Sequence, residues 1–561
     1  MSRTATGFVR RLAVVVCGCS LVTVGASGVQ SSGTLAFIDV SVVPMDSERV
    51  LTRHTVIIQG DRIISIDPAD EAVVPRGARR IEAQGKYLIP GLIDAHTRLL
   101  SDSRISDEHI DEELAVLVAN GVTTIRHAAG SPRLLEYRER IIAEDVLGPQ
   151  LYVSSPQLAS IEPDERFAGR FVQTAFEAAA AVRGFREAGY DFVSLAYGNT
   201  ADVYSGVVLT SRGSRMPLVG HVPALVSLQR ALESGQHIEY LDGYLDALLD
   251  PRHTGAAGLS GSSLWEKDNW ISLQEVDEGR IDDVARATAD AEVWNTPLLA
   301  SLEAALATGR SGAETEESPA ERFVSPGVRA ALHEARGRYR EDPPAEAWRR
   351  RYIELRNRIV RELYRADAKL LAGSGDPAWT PPYGFGLHRE LESLVAAGLP
   401  PYAALRAATR SPAASLSSRG GGSAEFATVD ANGIRFESSA IRGADFGSVA
   451  VGNRADLVLL AASPLDDISN TQRIEGVMLR GRWLPREELD DLLDRSAAVL
   501  SRVVPLLARD QGGEQVSTRF SIAHQPNSLQ MLLHTRRMFH QGLPQQSHES
   551  FRRQAAVLGR Q

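Results

Sequence analysis

Between about residue 85 and residue 416, short apolar runs alternate with longer stretches of helical periodicity, and this alternation restricts the fold more than any other feature. Asp191-Phe192-Val193 is one of the short runs; the apolar face of Phe176 to Ala188 and the stretch from Ala330 to Lys369 are of the longer kind. A strand followed by a helix at this spacing returns to start the next strand in the same direction, which gives parallel pairing. The number of units suits a (β/α)8 TIM-type barrel. An open doubly wound sheet satisfies the same alternation, but no glycine-rich phosphate loop follows the first strand to favour it.

The two ends of this region read differently. Leu35-Ala36-Phe37-Ile38-Asp39-Val40, Thr55-Val56-Ile57-Ile58 and Arg62-Ile63-Ile64-Ser65-Ile66 are short and β-like, and Gly60-Asp61 joins the last two as a hairpin. A matching set, Ala455 to Leu460 and Gly476 to Trp483, lies near the other end. The expected organisation is a small composite β-sandwich domain from residues 34–84 and 446–485, flanking a barrel over 85–416. Residues 417–444, opening on Ser417-Ser418-Arg419-Gly420-Gly421-Gly422-Ser423, read as a flexible insertion. Residues 486–561 read as a helical or polar extension; His524, His534, His540 and His548 in it match no ligand spacing.

Hydrophobic residues at 43% and charged residues at 24% fit a globular protein with ample core. A net charge of −10 gives no broad footprint for nucleic acid, which needs clustered cations. The first residues carry a basic stretch ending at Arg10-Arg11, an apolar run from Leu12 to Val24 and then Val24-Gly25-Ala26. That is the architecture of a secretory signal peptide over 1–26, too short for a membrane span, so export to the periplasm or beyond is expected. Both cysteines, Cys17 and Cys19, fall inside it; lipoprotein anchoring at Cys19 is the alternative.

The run Gly85-Lys86-Tyr87-Leu88-Ile89-Pro90-Gly91-Leu92-Ile93-Asp94-Ala95-His96 resembles the opening strand of the urease-type amidohydrolases, and Asn120-Gly121-Val122-Thr123-Thr124-Ile125-Arg126 resembles the next strand of their imidazolonepropionase and prolidase-like branch. Gly220-His221-Val222-Pro223, Ile238-Glu239-Tyr240-Leu241, Leu371-Ala372-Gly373-Ser374 and Leu387-His388-Arg389-Glu390 follow in the family order. The resemblance spans roughly residues 34 to 485 and implies a metal-carrying barrel with ligands at the C-terminal ends of its strands.

Carried over residue by residue, that resemblance implies a depleted ligand set. His96 and His221 match two of the family's histidines. The partner of His96 is Arg98, which has no lone pair to donate. The bridging lysine falls on Ser194, too short to form a carbamate, and the last histidine falls on Tyr240, a phenol that is a poor zinc ligand. On the last strand, Gly373-Ser374-Gly375-Asp376 leaves open whether Gly375 replaces the aspartate or Asp376 takes its place. His127 stands where the family usually has aspartate, either as a further donor or as a hydrogen-bonded loop histidine.

The resemblance thus implies at most one divalent metal, zinc by preference, on His96, His221 and Asp376, with Asp376 as general base. A binuclear centre is not expected, and a chain that holds no metal is the alternative. Two functions stand side by side: an exported hydrolase of carbon–nitrogen bonds using one metal, and a catalytically retired barrel that binds a small molecule or a partner protein through Arg98, Tyr240 and His221. Ser194 and His127 complete the expected pocket, and a homo-oligomer is expected from the family.

Overall fold

A computed structural model of the chain describes residues 33–99, 105–161, 169–249, 271–307, 319–324, 326, 345–375, 383–417, 425–430, 433–438 and 444–501. The expected signal peptide with Cys17 and Cys19, Asp376, and the tail beyond residue 501 lie outside the described residues.

The β-like ends of the sequence form one sheet. Its strands run in the order Arg482–Pro485, Ile474–Leu479, Leu457–Leu460, Tyr87–Pro90, Thr34–Val42, Leu51–Gln59 and Arg62–Pro68, with Arg79–Glu82 added in parallel to Thr34–Val42. Gln59 pairs with Arg62 across the Gly60-Asp61 turn, the two-residue connection that the sequence signals. Segments almost four hundred residues apart therefore share one sheet. Leu35, Phe37, Val56, Leu457, Met478 and Trp483 fill its apolar layer, and Phe37 meets Trp483 edge to face with ring centres 5.0 Å apart.

The middle of the chain is α/β with parallel strands. Leu92–Thr97, Val122–His127 and Gln150–Val153 pair in order; Val193–Leu195 pairs with Leu218–Gly220; Ile238–Glu239, Trp294–Thr296 and Lys369–Leu370 form a third set. Backbone bonds also pass between the sets, among them Asp191 N to Val153 O at 2.8 Å, His237 N to Leu218 O at 2.9 Å, and Ala95 N to Ala372 O at 3.0 Å. The helices between strands start where the sequence provides caps. Ser106, Thr174, Thr200 and Ser227 each accept a hydrogen bond from a backbone amide in the first turn of the helix that follows.

Helix Asp107–Ala119 is buried along most of its length because helix Arg486–Leu500 packs across it. Glu112 anchors that contact, accepting from Ser496 Oγ at 2.6 Å and Arg495 Nε at 3.1 Å. The start of the 486–561 extension is thus a packed helix. Within 417–444, Glu425–Asp430 and Gly433–Ser438 form an antiparallel hairpin. Among the described residues no helix is long and apolar enough to cross a membrane.

Gly481 shows how closely the two ends of the chain approach in the composite sheet. Its φ is +80°, and a Cβ there would lie 1.9 Å from Gly60 O. Gly481→Ala should therefore cost about 2–4 kcal/mol through left-handed strain plus the displaced neighbour, read as a shift in urea midpoint at unchanged slope.

Candidate functional site

Strand Leu92–Thr97 is buried at every residue, yet carries an aspartate, a histidine and a threonine. Such residues are tolerated there only because each finds a partner at the strand ends. Asp94 Oδ1 accepts from the amides of His96 at 3.1 Å and Ser374 at 3.0 Å, tying the first strand to the last. Its Oδ2 has no partner among the described residues, and burial pushes the carboxyl up to about 6. Ser374 Oγ lies 3.1 Å from Thr97 Oγ1, and the Gly375 amide donates to His96 O at 2.9 Å. Gly375 holds φ at +81° with Ser301 against the position a Cβ would take, so the backbone turns here in a way that suits glycine.

His96 sits between two side chains from one strand end. Its Nε2 is 3.2 Å from Tyr240 Oη, and its Nδ1 is 3.1 Å from Glu239 Oε2, somewhat off the line of the ring N–H. Glu239 Oε1 accepts from Arg126, whose guanidinium also lies 5.5 Å from the ring centre of Phe192. All three of His96, Arg126 and Glu239 are buried. Burial would raise Glu239, but the positive charge of His96 and Arg126 and their hydrogen bonds hold it well below the usual carboxylate range. Burial holds His96 below the usual histidine value, with Glu239 opposing.

Tyr240 and Leu241 have φ of 60° and 52°, a left-handed pair of non-glycine residues directly after the Ile238–Glu239 strand. The Tyr240 ring lies parallel to that of His221, with centres 4.8 Å apart and planes 7° apart, and stands edge-on to His96 at 5.2 Å. The ring therefore fills the gap between the two histidines. His221 is fixed from behind by Asp242 Oδ2, 2.7 Å from its Nδ1.

The remaining predicted residues take other partners. Ser194 Oγ donates to Ala128 O at 2.9 Å. His127 Nε2 accepts from the Leu99 amide at 2.9 Å, and burial together with the charge of Arg98 lowers the ring to about 3. Arg98 donates one long bond, 3.4 Å, to Gln157 Oε1. Among the described residues no three His, Cys, Asp or Glu side chains converge as a metal site. A cleft of about 1260 Å³ lies beside the loop that follows His221, lined by Tyr197, Val222, Pro223 and Asp246 among others; Tyr197 also stands edge-on to His221.

Asp94, Arg126, Glu239 and Asp242 were not singled out from sequence. Their signal was present in kind: charged residues inside or just after otherwise apolar strand segments, which must pair or bind something.

Comparison with known protein families finds no match. In sequence, the imidazolonepropionase of Micrococcus luteus is 33% identical over 111 residues, 19% of this chain. The chain matches only 27% of that relative's length. In structure, bottromycin amidohydrolase superposes with a TM-score of 0.61 at 22% identity, covering 83% of this chain and 90% of that one. A Xaa-Pro dipeptidase with methionine bound in its active site gives 0.54 at 16% identity (81% and 100% covered), and molinate hydrolase 0.55 at 17% (82% and 96% covered). These likenesses show the fold.

Glu239→Gln should cost about 3–5 kcal/mol at neutral pH by leaving Arg126 buried without its counter-charge. Because the folded carboxylate titrates below its unfolded value, its contribution is present above the usual value near 4.3 and lost as pH falls through the lowered folded value. The gap between wild type and variant should therefore close in acid, as measured by denaturant unfolding across pH. His127 adds a slope of its own: the unfolded chain binds a proton below about 6.5 that the folded ring refuses until about 3, so stability falls as pH drops through that window. His127→Gln, which keeps an acceptor for Leu99, should flatten that part of the profile.

Proposed function

We propose that this chain, which has the amidohydrolase fold, is a (β/α)8 barrel whose strand-end pocket binds a small molecule without a two-metal centre. The backbone bonds linking the three parallel strand sets support reading them as one barrel, with the composite sheet as its flanking domain. The observation that carries the functional reading is the Tyr240 ring, stacked on His221 and bonded through its hydroxyl to His96.

The residues do not fit a binuclear centre. Arg98 offers no lone pair, Ser194 spends its hydroxyl on Ala128 O, and the His96 nitrogen that faces the gap already meets the Tyr240 hydroxyl. The chemistry named by neighbours such as an amidohydrolase and a dipeptidase is hydrolysis of carbon–nitrogen bonds. The reading keeps a strand-end ligand pocket for this chain without the bridged metals.

One observation favours a second reading. Asp242 orients His221 through Nδ1, as carboxylates orient metal-bound imidazoles, leaving Nε2 for a ligand. With His96 and Asp376 it would hold a single zinc, which supplies an activated water for hydrolysis when bound, and Asp376 would act as general base. We further infer export through the 1–26 signal segment and assembly as a homo-oligomer, with no role for nucleic acid.

Metal analysis of the purified chain, alongside assay of Xaa-Pro dipeptides and N-acyl amino acids, decides between the two. The expected result is folded protein with well under one equivalent of zinc and no turnover. About one equivalent of zinc, lost together with activity in His221→Ala, would establish the single-metal hydrolase instead.

A further inference from the structure

We propose that Arg98 is the anion receptor of this pocket and that its ligand is a small organic molecule bearing one carboxylate. The inference rests on the metal-free reading above and names the class of ligand. It begins from two guanidinium groups at the strand ends that are treated differently. Arg126 is bonded to a buried carboxylate, Glu239. Among the described residues, Arg98 has only the neutral amide of Gln157, at 3.4 Å, and its buried Nε has no partner there.

A guanidinium offers five N–H donors in a planar fork suited to two parallel bonds from one carboxylate. Among the described residues none of the acidic groups forms an ion pair with Arg98, and a half-buried cation left with one long bond to an uncharged group is under-compensated. Its field is felt by its neighbours: the charge of Arg98 depresses both His96 and His127. Neither ring can supply the missing negative charge, and His127 is already committed to the Leu99 amide.

The position matters as much as the charge. Arg98 directly follows the Leu92–Thr97 strand, and Gln157 lies in the segment that follows the Gln150–Val153 strand, so the donor fork lies beyond the C-terminal ends of these strands, where parallel α/β folds take their ligands. One guanidinium balances one negative charge. A phosphate dianion would leave one charge unbalanced, so a carboxylate monoanion is the better match.

The test is calorimetric titration of the full chain with N-acetylalanine, its primary amide and inorganic phosphate, on wild type, Arg98→Gln and Arg98→Lys. The acid should bind at one equivalent, with the amide and phosphate at least tenfold weaker. Arg98→Gln should bring the acid down to the affinity of the amide, and Arg98→Lys should fall between. Equal binding of acid and amide by wild type overturns the proposal, and so does unchanged acid binding in Arg98→Gln. Should Arg98→Gln fail to fold, the acid-to-amide ratio in wild type and the Arg98→Lys titration still decide. A third overturning result is an internal partner: no acid binding by wild type, with strong coupling between Arg98→Gln and Asp376→Asn in a double-mutant cycle. Metal content separates this from the reading it rests on. Stoichiometric zinc with turnover defeats the metal-free reading while acid discrimination at Arg98 is read independently; zinc-free protein that ignores the acid defeats the Arg98 assignment alone.

Discussion

The buried Arg126–Glu239–His96 cluster is the interaction on which the site depends. It draws a guanidinium from the second strand, a carboxylate from a later one and an imidazole from the first into one neutralised group. Each of these side chains would be costly to bury alone, and together they fix one another's positions. Glu239 is also the residue before Tyr240. Locking Glu239 in place therefore locks the start of the left-handed turn that delivers the tyrosine ring to His221. A charge pair inside the strands thus decides what fills the space in front of them.

The polar groups at the strand ends are organised by one another. Here Arg126 and Arg98 are the positive charges, Asp94 bridges first and last strands through backbone amides, and Tyr240 joins two histidines by stacking and a hydrogen bond. The result is a centre with strong internal contacts and, among the described residues, a cation, Arg98, with a single long bond.

Much of the architecture was legible in the sequence because it is written in period and punctuation. Alternating runs, the Gly60-Asp61 turn and the β-like segments at both ends each have a local cause, and the strands pair where those causes place them. The site was legible only in part. His96, Arg98, Ser194, His221 and Tyr240 could be located by their order along the chain, but the stacking of Tyr240 on His221 comes from strand-end geometry that no local pattern encodes. Glu239 and Arg126 are 113 positions apart, and pairing at that separation is a property of the folded sheet. Asp376 remains a sequence-based assignment.

The composite sheet has a consequence for the order in which the molecule can be made. Strand Tyr87–Pro90 has Thr34–Val42 on one side early in synthesis, but its other neighbour, Leu457–Leu460, leaves the ribosome some 370 residues later. Until then one edge of an apolar strand stands open, the arrangement most prone to pairing with another chain. Contacts this distant in sequence also make closure of the sheet slow. A nascent or truncated chain ending before residue 457 would carry its parallel α/β region with an unprotected seam, because the strand that covers the first ones is made near the end.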